Sequence, residues 1–307
     1  MRPRNDPAWL EAQYNNRARV ADHARFFAGW AEASALVRSK ARCVLDVRYG
    51  QGPKATLDVF PAHAGAVPAS GEGGGAGGGS GGSGAPILIF IHGGYWRSLD
   101  KSDFSFVAPS FTADGAMVVV PNHDLCPAVG VQDIARQLTE AVAWTVRHGA
   151  EHGGDPQRIA LAGHSAGGHL VAMLLSCRWK EVADAVGFEL PAQPLAGGLA
   201  ISGLYDLEPL RHAPFLQADL KLTPLDVARC SPAFFPRPKG CKLYAAVGLD
   251  ESEEFLRQNT LIRDVWGPTA VPVCETLPGL HHFSVLESLA DPQGRLHELA
   301  LRLLGLR

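Results

Sequence analysis

The chain has 307 residues, enough for one large domain or two smaller ones. Hydrophobic residues make up 46% and charged residues 19%, a globular composition, and the formal net charge is only −3. So small a charge provides no strong field for nucleic acid or an anionic membrane, which excludes both as expected partners and leaves a small-molecule substrate.

Met1-Arg2-Pro3-Arg4-Asn5-Asp6 is followed by no apolar run, so no secretory signal is expected. No apolar stretch approaches the roughly 20 residues needed to span a bilayer. Six cysteines, at positions 43, 126, 177, 230, 241 and 274, form no Cys-x-x-Cys pair. They read as reduced thiols in a cytoplasmic protein. Nothing in the sequence decides whether the chain forms a homodimer.

Residues 7 to 40 have helical spacing, with Trp9, Leu10, Tyr14, Val20, Phe26, Phe27 and Trp30 as the apolar set. Cys43 to Tyr49 and Ala55 to Phe60 read as a strand pair around the turn Gly50-Gln51-Gly52-Pro53. Residues 70–84 are almost all glycine, with some serine and alanine, and are expected to form a flexible loop between two strands of one sheet. Strands and helices then alternate: strands over 86–91, 116–120, 158–162, 199–202, 242–247 and 271–275, and helices over 132–148, 167–177 and about 292–304. This order predicts a single α/β domain over 1–307, with a mostly parallel sheet covered on both faces and ligands at its carboxyl edge. Residues 178–235, rich in proline and leucine, are expected to form a cap-like insertion.

The sharpest motif is Gly163-His164-Ser165-Ala166-Gly167, between a strand and an apolar helix. Glycines permit a tight turn that presents the Ser165 hydroxyl above the sheet edge as a nucleophile. The bland alternative is a turn whose serine merely caps the helix. Upstream, His92-Gly93-Gly94-Tyr95-Trp96 directly follows a strand, and small residues there let backbone N–H groups approach an oxyanion. The expected donors are Gly93 or Gly94 and Ala166, with His92 structural. Tyr95 and Trp96 are candidates for the pocket wall or for the core.

A serine nucleophile needs a base, which in such a fold lies after the last strand. His281 and His282 stand there, and His282 is the choice. The acid belongs at the end of the preceding strand, where Asp250 and Glu251 both fit and Asp206 is a further acid. His123 with Asp124, and His148 with His152, are the remaining metal-ligand candidates. No metal motif, phosphate loop or dinucleotide fingerprint accompanies them, so neither a metal nor a cofactor is expected.

With those residues in view, the sequence resembles the kynurenine formamidase (arylformamidase) group of α/β-hydrolases. The resemblance runs from about Trp9 to Glu287. It is carried by His92 to Trp96, Gly163 to Leu170, Ser202-Gly203-Leu204-Tyr205-Asp206-Leu207, Val247-Gly248, Ser252 with Glu254-Phe255, and His282-Phe283. It implies an α/β-hydrolase fold and a cofactor-free cytosolic enzyme that removes the formyl group from N-formyl-kynurenine in tryptophan breakdown. It also implies an acid three residues past the Val-Gly glycine, which is Glu251 here where several relatives have aspartate; Asp250 remains the competitor. A general carboxylesterase would use the same machinery. A non-catalytic binding relative usually lacks a triad member, whereas Ser165, His282 and a candidate acid are all present here.

Overall fold

The computed structural model describes residues 6–63 and 84–307. Three helices lead: α1 (Pro7–Tyr14), α2 (Asn16–Arg19) and α3 (His23–Lys40). A hairpin of β1 (Val44–Arg48) and β2 (Thr56–Phe60) follows. Next come β3 (Ala85–Ile91), α4 (Ala108–Ala113), β4 (Met117–Pro121), α5 (Val131–His148), β5 (Gly154–His164), α6 (Ala166–Leu175), α7 (Trp179–Val186) and β6 (Leu195–Ile201). Three short helices, α8 (Glu208–Arg211), α9 (Pro214–Leu220) and α10 (Pro224–Cys230), precede β7 (Lys242–Gly248). The chain closes with α11 (Glu253–Ala270), β8 (Val273–Leu277), α12 (Glu287–Ala290) and α13 (Arg295–Leu304).

The eight strands form one sheet in the order β1-β2-β4-β3-β5-β6-β7-β8. β2 runs antiparallel to β1 and β4, and every other pairing is parallel. The period-two alternation of the apolar strands divides their side chains between two cores. Ile87, Ile89 and Ile91 of β3 join Ile134, Leu138 and Val142 of α5 on one face. Leu88 and Phe90 join Trp30 of α3 and Leu296 and Leu299 of α13 on the other. Burial on both faces is why these strands read as near-continuous apolar runs.

One expectation is corrected. Residues 178–235 are not one cap-like insertion, because β6 passes through them as an interior strand. Leu195, Leu199, Ala200 and Ile201 are all buried, and the strand that carries them pairs with β5 on one side and β7 on the other. The segment left above the sheet edge is α8 to α10. The glycine-rich stretch expected at 70–84 lies, except for Gly84, outside the described residues. No helix among the described residues is long and apolar enough to cross a membrane.

The N-terminal helices have a particular placement. Leu10 and Tyr14 of α1 pack into the first core, whereas Trp30 of α3 packs into the second. The residues between them therefore cross from one face of the sheet to the other.

Candidate active site

β4 and β5 flank β3 on opposite sides, so the strand order reverses at β3 and opens a crevice at its carboxyl end. The register pairs Ile91 with Gly163, which brings the loops after β3 and β5 together there. The turn at Ser165 is strained, with φ +57° and ψ −118°, in the left-handed half of the map that a serine rarely visits. A methyl group on Gly167 would stand 2.0 Å from the Ile91 carbonyl oxygen, and one on Gly163 2.4 Å from that of Gly167. Only glycine lets α6 start so close to β3. The Ser165 N–H donates to the Ile201 carbonyl at 2.7 Å, which ties the turn to β6.

The side chains meet in a relay. His282 Nε2 lies 3.0 Å from Ser165 Oγ, and His282 Nδ1 lies 2.6 Å from Glu251 Oε2. The other oxygen of Glu251 accepts from Ser202 Oγ at 2.5 Å and from the Gly248 N–H at 2.9 Å. Ser165, His282 and Glu251 are all buried, and the Glu251 side chain is 0% exposed. A carboxylate so enclosed holds the Nδ1–H tautomer and leaves Nε2 free to take a proton from serine. Asp250 is exposed and outside the relay; its backbone N–H instead binds the Leu280 carbonyl. Asp206 lies 3.5 Å from Arg257 and serves α11.

Neighbouring histidines support this relay without joining it. His164 Nε2 donates to the His282 carbonyl at 2.8 Å, and burial, then the nearby His282, holds its pKa well below the usual value. His281 Nδ1 accepts the N–H groups of Phe283 and Ser284, which shapes the turn that carries His282. His92 is fully buried between the Gly93 carbonyl at 2.8 Å and Asn122 Oδ1 at 3.2 Å, and burial lowers its pKa. These contacts brace the loop after β3. His123 stacks on His92 with ring centroids 4.5 Å apart, and His148 pairs with Glu151.

Gly94 has φ +107°, and Tyr95 and Trp96 also have positive φ, so the loop after β3 doubles back sharply. Gly94 and Tyr95 line the pocket that reaches Ser165 and His282. Gly93 packs behind them, where an added methyl would lie 2.8 Å from the His164 carbonyl oxygen. Ala166 is the first residue of α6, so its N–H has no acceptor within the helix. The two aromatics part company. Tyr95 lines the pocket and donates its hydroxyl to the Tyr14 carbonyl at 2.6 Å. Trp96 is 0% exposed and sets its ring edge-on to His169 at 4.9 Å, so it is a core residue and no pocket wall.

Sequence reasoning missed the opposite wall. Asn15, Asn16 and Arg17, with Phe27 and Trp30, line the same pocket as Ser165 and His282, and Phe215 of α9 completes the rim. The segment crossing the sheet edge is thus a roof over Ser165. Tyr14 Oη donates to Glu254 Oε2 at 2.6 Å, anchoring that roof to α11. Ser202 was also missed as a partner of the acid. It opens the Ser202-Gly203-Leu204-Tyr205-Asp206-Leu207 motif, but its contact with Glu251 spans 49 residues and leaves no local signal.

The fold and this relay define the class: the chain is a serine hydrolase of the α/β-hydrolase fold. Its residues 79–188 match the family model BD-FAE. Kynurenine formamidase of Salmo salar is 28% identical over 89% of this chain and 86% of its own length. A solved candidate thioesterase from Silicibacter sp. TM1040 superposes with a TM-score of 0.75 and 29% identity, covering 92% of this chain and 95% of its own. Esterase B of Lactobacillus rhamnosus shares the fold, with a TM-score of 0.65 at 18% identity over 93% and 95% of the two chains. The chain thus has the α/β-hydrolase fold and is similar along most of its length to kynurenine formamidases and to esterases.

Proposed function

We propose that this chain is a cytoplasmic, cofactor-free aryl formamidase that converts N-formyl-kynurenine to kynurenine and formate in tryptophan degradation. The similarity to kynurenine formamidase over nearly the whole chain carries the choice of substrate. The mechanism follows from the relay at 3.0 and 2.6 Å. His282 takes the Ser165 proton as Oγ attacks the formyl carbon. The backbone N–H groups of the Gly93-Gly94 turn and of Ala166 receive the oxyanion, each worth roughly 3 to 4 kcal/mol of barrier. Protonated His282, steadied by Glu251, gives its proton to the anilide nitrogen as the C–N bond breaks, and the aniline departs. Water then attacks the formyl-serine ester with His282 again as base, releasing formate and restoring Ser165.

The test is hydrolysis of N-formyl-L-kynurenine beside p-nitrophenyl acetate, for the wild type and Ser165→Ala. The expected result is a preference for the formamide of about a hundredfold or more in kcat/KM, with both activities lost in the variant by about a thousandfold or more. Ester turnover alone, also lost in the variant, replaces the formamidase reading with a carboxylesterase. Activity that survives Ser165→Ala removes Ser165 as the nucleophile.

A further inference from the structure

Within the site already described, two residues of the N-terminal roof have no task in the relay. We propose that the Asn16-Arg17 turn binds a carboxylate on the leaving-group side of the substrate, so that the enzyme selects substrates that bear one. This rests on the Ser165-centred reading above.

Asn16 is 4% exposed, lines the pocket beside Ser165 and His282, and its Nδ2 has no hydrogen-bond partner among the described residues. An amide donor buried without a partner costs about 1–3 kcal/mol, a cost relieved when an acceptor oxygen enters the pocket. Arg17 follows it at the exposed rim. Its guanidinium lies over the Phe27 ring at 5.1 Å and reaches only Ser98 Oγ, at 3.4 Å; among the described residues it has no carboxylate partner.

Arg97, the second guanidinium at the rim, is already engaged. It pairs with Asp219 and donates to the Phe215 carbonyl at 2.7 Å. Arg17 is therefore the cation available to a ligand. What burial it has, and then the charge of Arg97, disfavours its ionised form, a strain that a bound anion relieves.

The turn is held in place before substrate arrives. Tyr95 and Glu254 fix Tyr14 on one side, Gln13 accepts the Glu254 N–H at 3.3 Å, and Asn15 caps α2 with its own side chain. A rigid donor pair spends little entropy on binding. A formyl group is a single carbon, so in a formamide the anion that reaches Asn16 and Arg17 sits on the amine half.

The experiment compares two pairs of substrates, each an acid with its methyl ester: N-formyl-L-kynurenine, and 4-acetoxybenzoate as an aryl ester. The readout is the acid-to-methyl-ester ratio of kcat/KM for each pair. In the wild type the ratio should favour the acid by about tenfold or more, mainly through KM, and should fall as salt is raised. Arg17→Met should lower it about tenfold, Arg17→Lys should retain most of it, and Asn16→Asp should reverse it by placing a like charge in the pocket. Thermal melts check that each variant is folded. A wild-type ratio near one, or a ratio that Arg17→Met leaves unchanged, overturns the proposal. A charge preference seen only with the acetoxybenzoates sustains it while removing the formamidase reading.

Discussion

Glu251 and Asp250 are neighbours in sequence and opposites in environment. The Glu251 carboxylate is enclosed by His282, Ser202 and the Gly248 N–H, whereas Asp250 faces solvent. Both stand after β7, and strand-end position alone could not choose between them, because which of two adjacent side chains turns inward depends on the loop backbone. Glu251→Gln keeps the shape but can donate to Nδ1 or present the wrong tautomer, so kcat should fall about a thousand- to ten-thousandfold. Asp250→Asn should stay within about twofold. Steady-state kinetics on the two variants checks the assignment, and equal losses would contradict it.

Among the elements, the β5-to-α6 turn carries the most constraint. Gly163 and Gly167 were legible as a tight turn, but the reason each must be glycine lies in backbone oxygens: that of Gly167 within the turn for Gly163, and that of Ile91 on the neighbouring strand for Gly167. Gly167→Ala drives a methyl into a backbone oxygen at 2.0 Å, with no flexible side chain to yield. It should destabilise the fold by more than about 3 kcal/mol and lower Tm by several degrees. Gly29→Ala is the control. Gly29 lies mid-helix in α3 with nothing within 4 Å of the added methyl, so it should gain about 0.5–1 kcal/mol. Differential scanning calorimetry reads both. The roof over the pocket is also a property of elements: the helical spacing of residues 7–40 was visible, but not that α1 and α3 would pack on opposite faces.

At the scale of the whole molecule, a group of neutral histidines sets the acid limit of stability. His92, His123, His164 and His169 are fully buried, and burial first of all lowers the pKa of each. That of His169 falls to about 4 and that of His123 to about 3, against 6.5 for the unperturbed ring. Between these values the unfolded chain binds protons that the folded one refuses, so stability rises with pH there. It is complete above about pH 6.5 and is lost as pH falls through the window toward 4. His169 alone should account for about 3 kcal/mol of that loss, because each pH unit between 6.5 and about 4 is worth about 1.36 kcal/mol. Urea denaturation at pH 7, 5 and 4 should show the decline, with a shallower slope for His169→Gln, which keeps a donor for the Cys230 carbonyl. A stability independent of pH across this range would contradict the assignment.

The sequence by itself left the helices α7 to α11 unread but determined the order of the strands, the mostly parallel sheet, the tight serine turn and the placing of His282 after the last strand. All of these follow from local patterns: apolar periodicity, glycines around a serine, and a histidine after the last strand. Tertiary structure put Glu251, the acid that the family resemblance implied, rather than Asp250 against the imidazole, and it alone decided that Ser202 supports that acid. It also sent Trp96 into the core while Tyr95 stayed in the pocket, and laid Asn16 and Arg17 over the site. Each of these depends on contacts between segments far apart in the chain. Such contacts are set by how two faces of a sheet are covered, and a single sequence records that only in the folded packing.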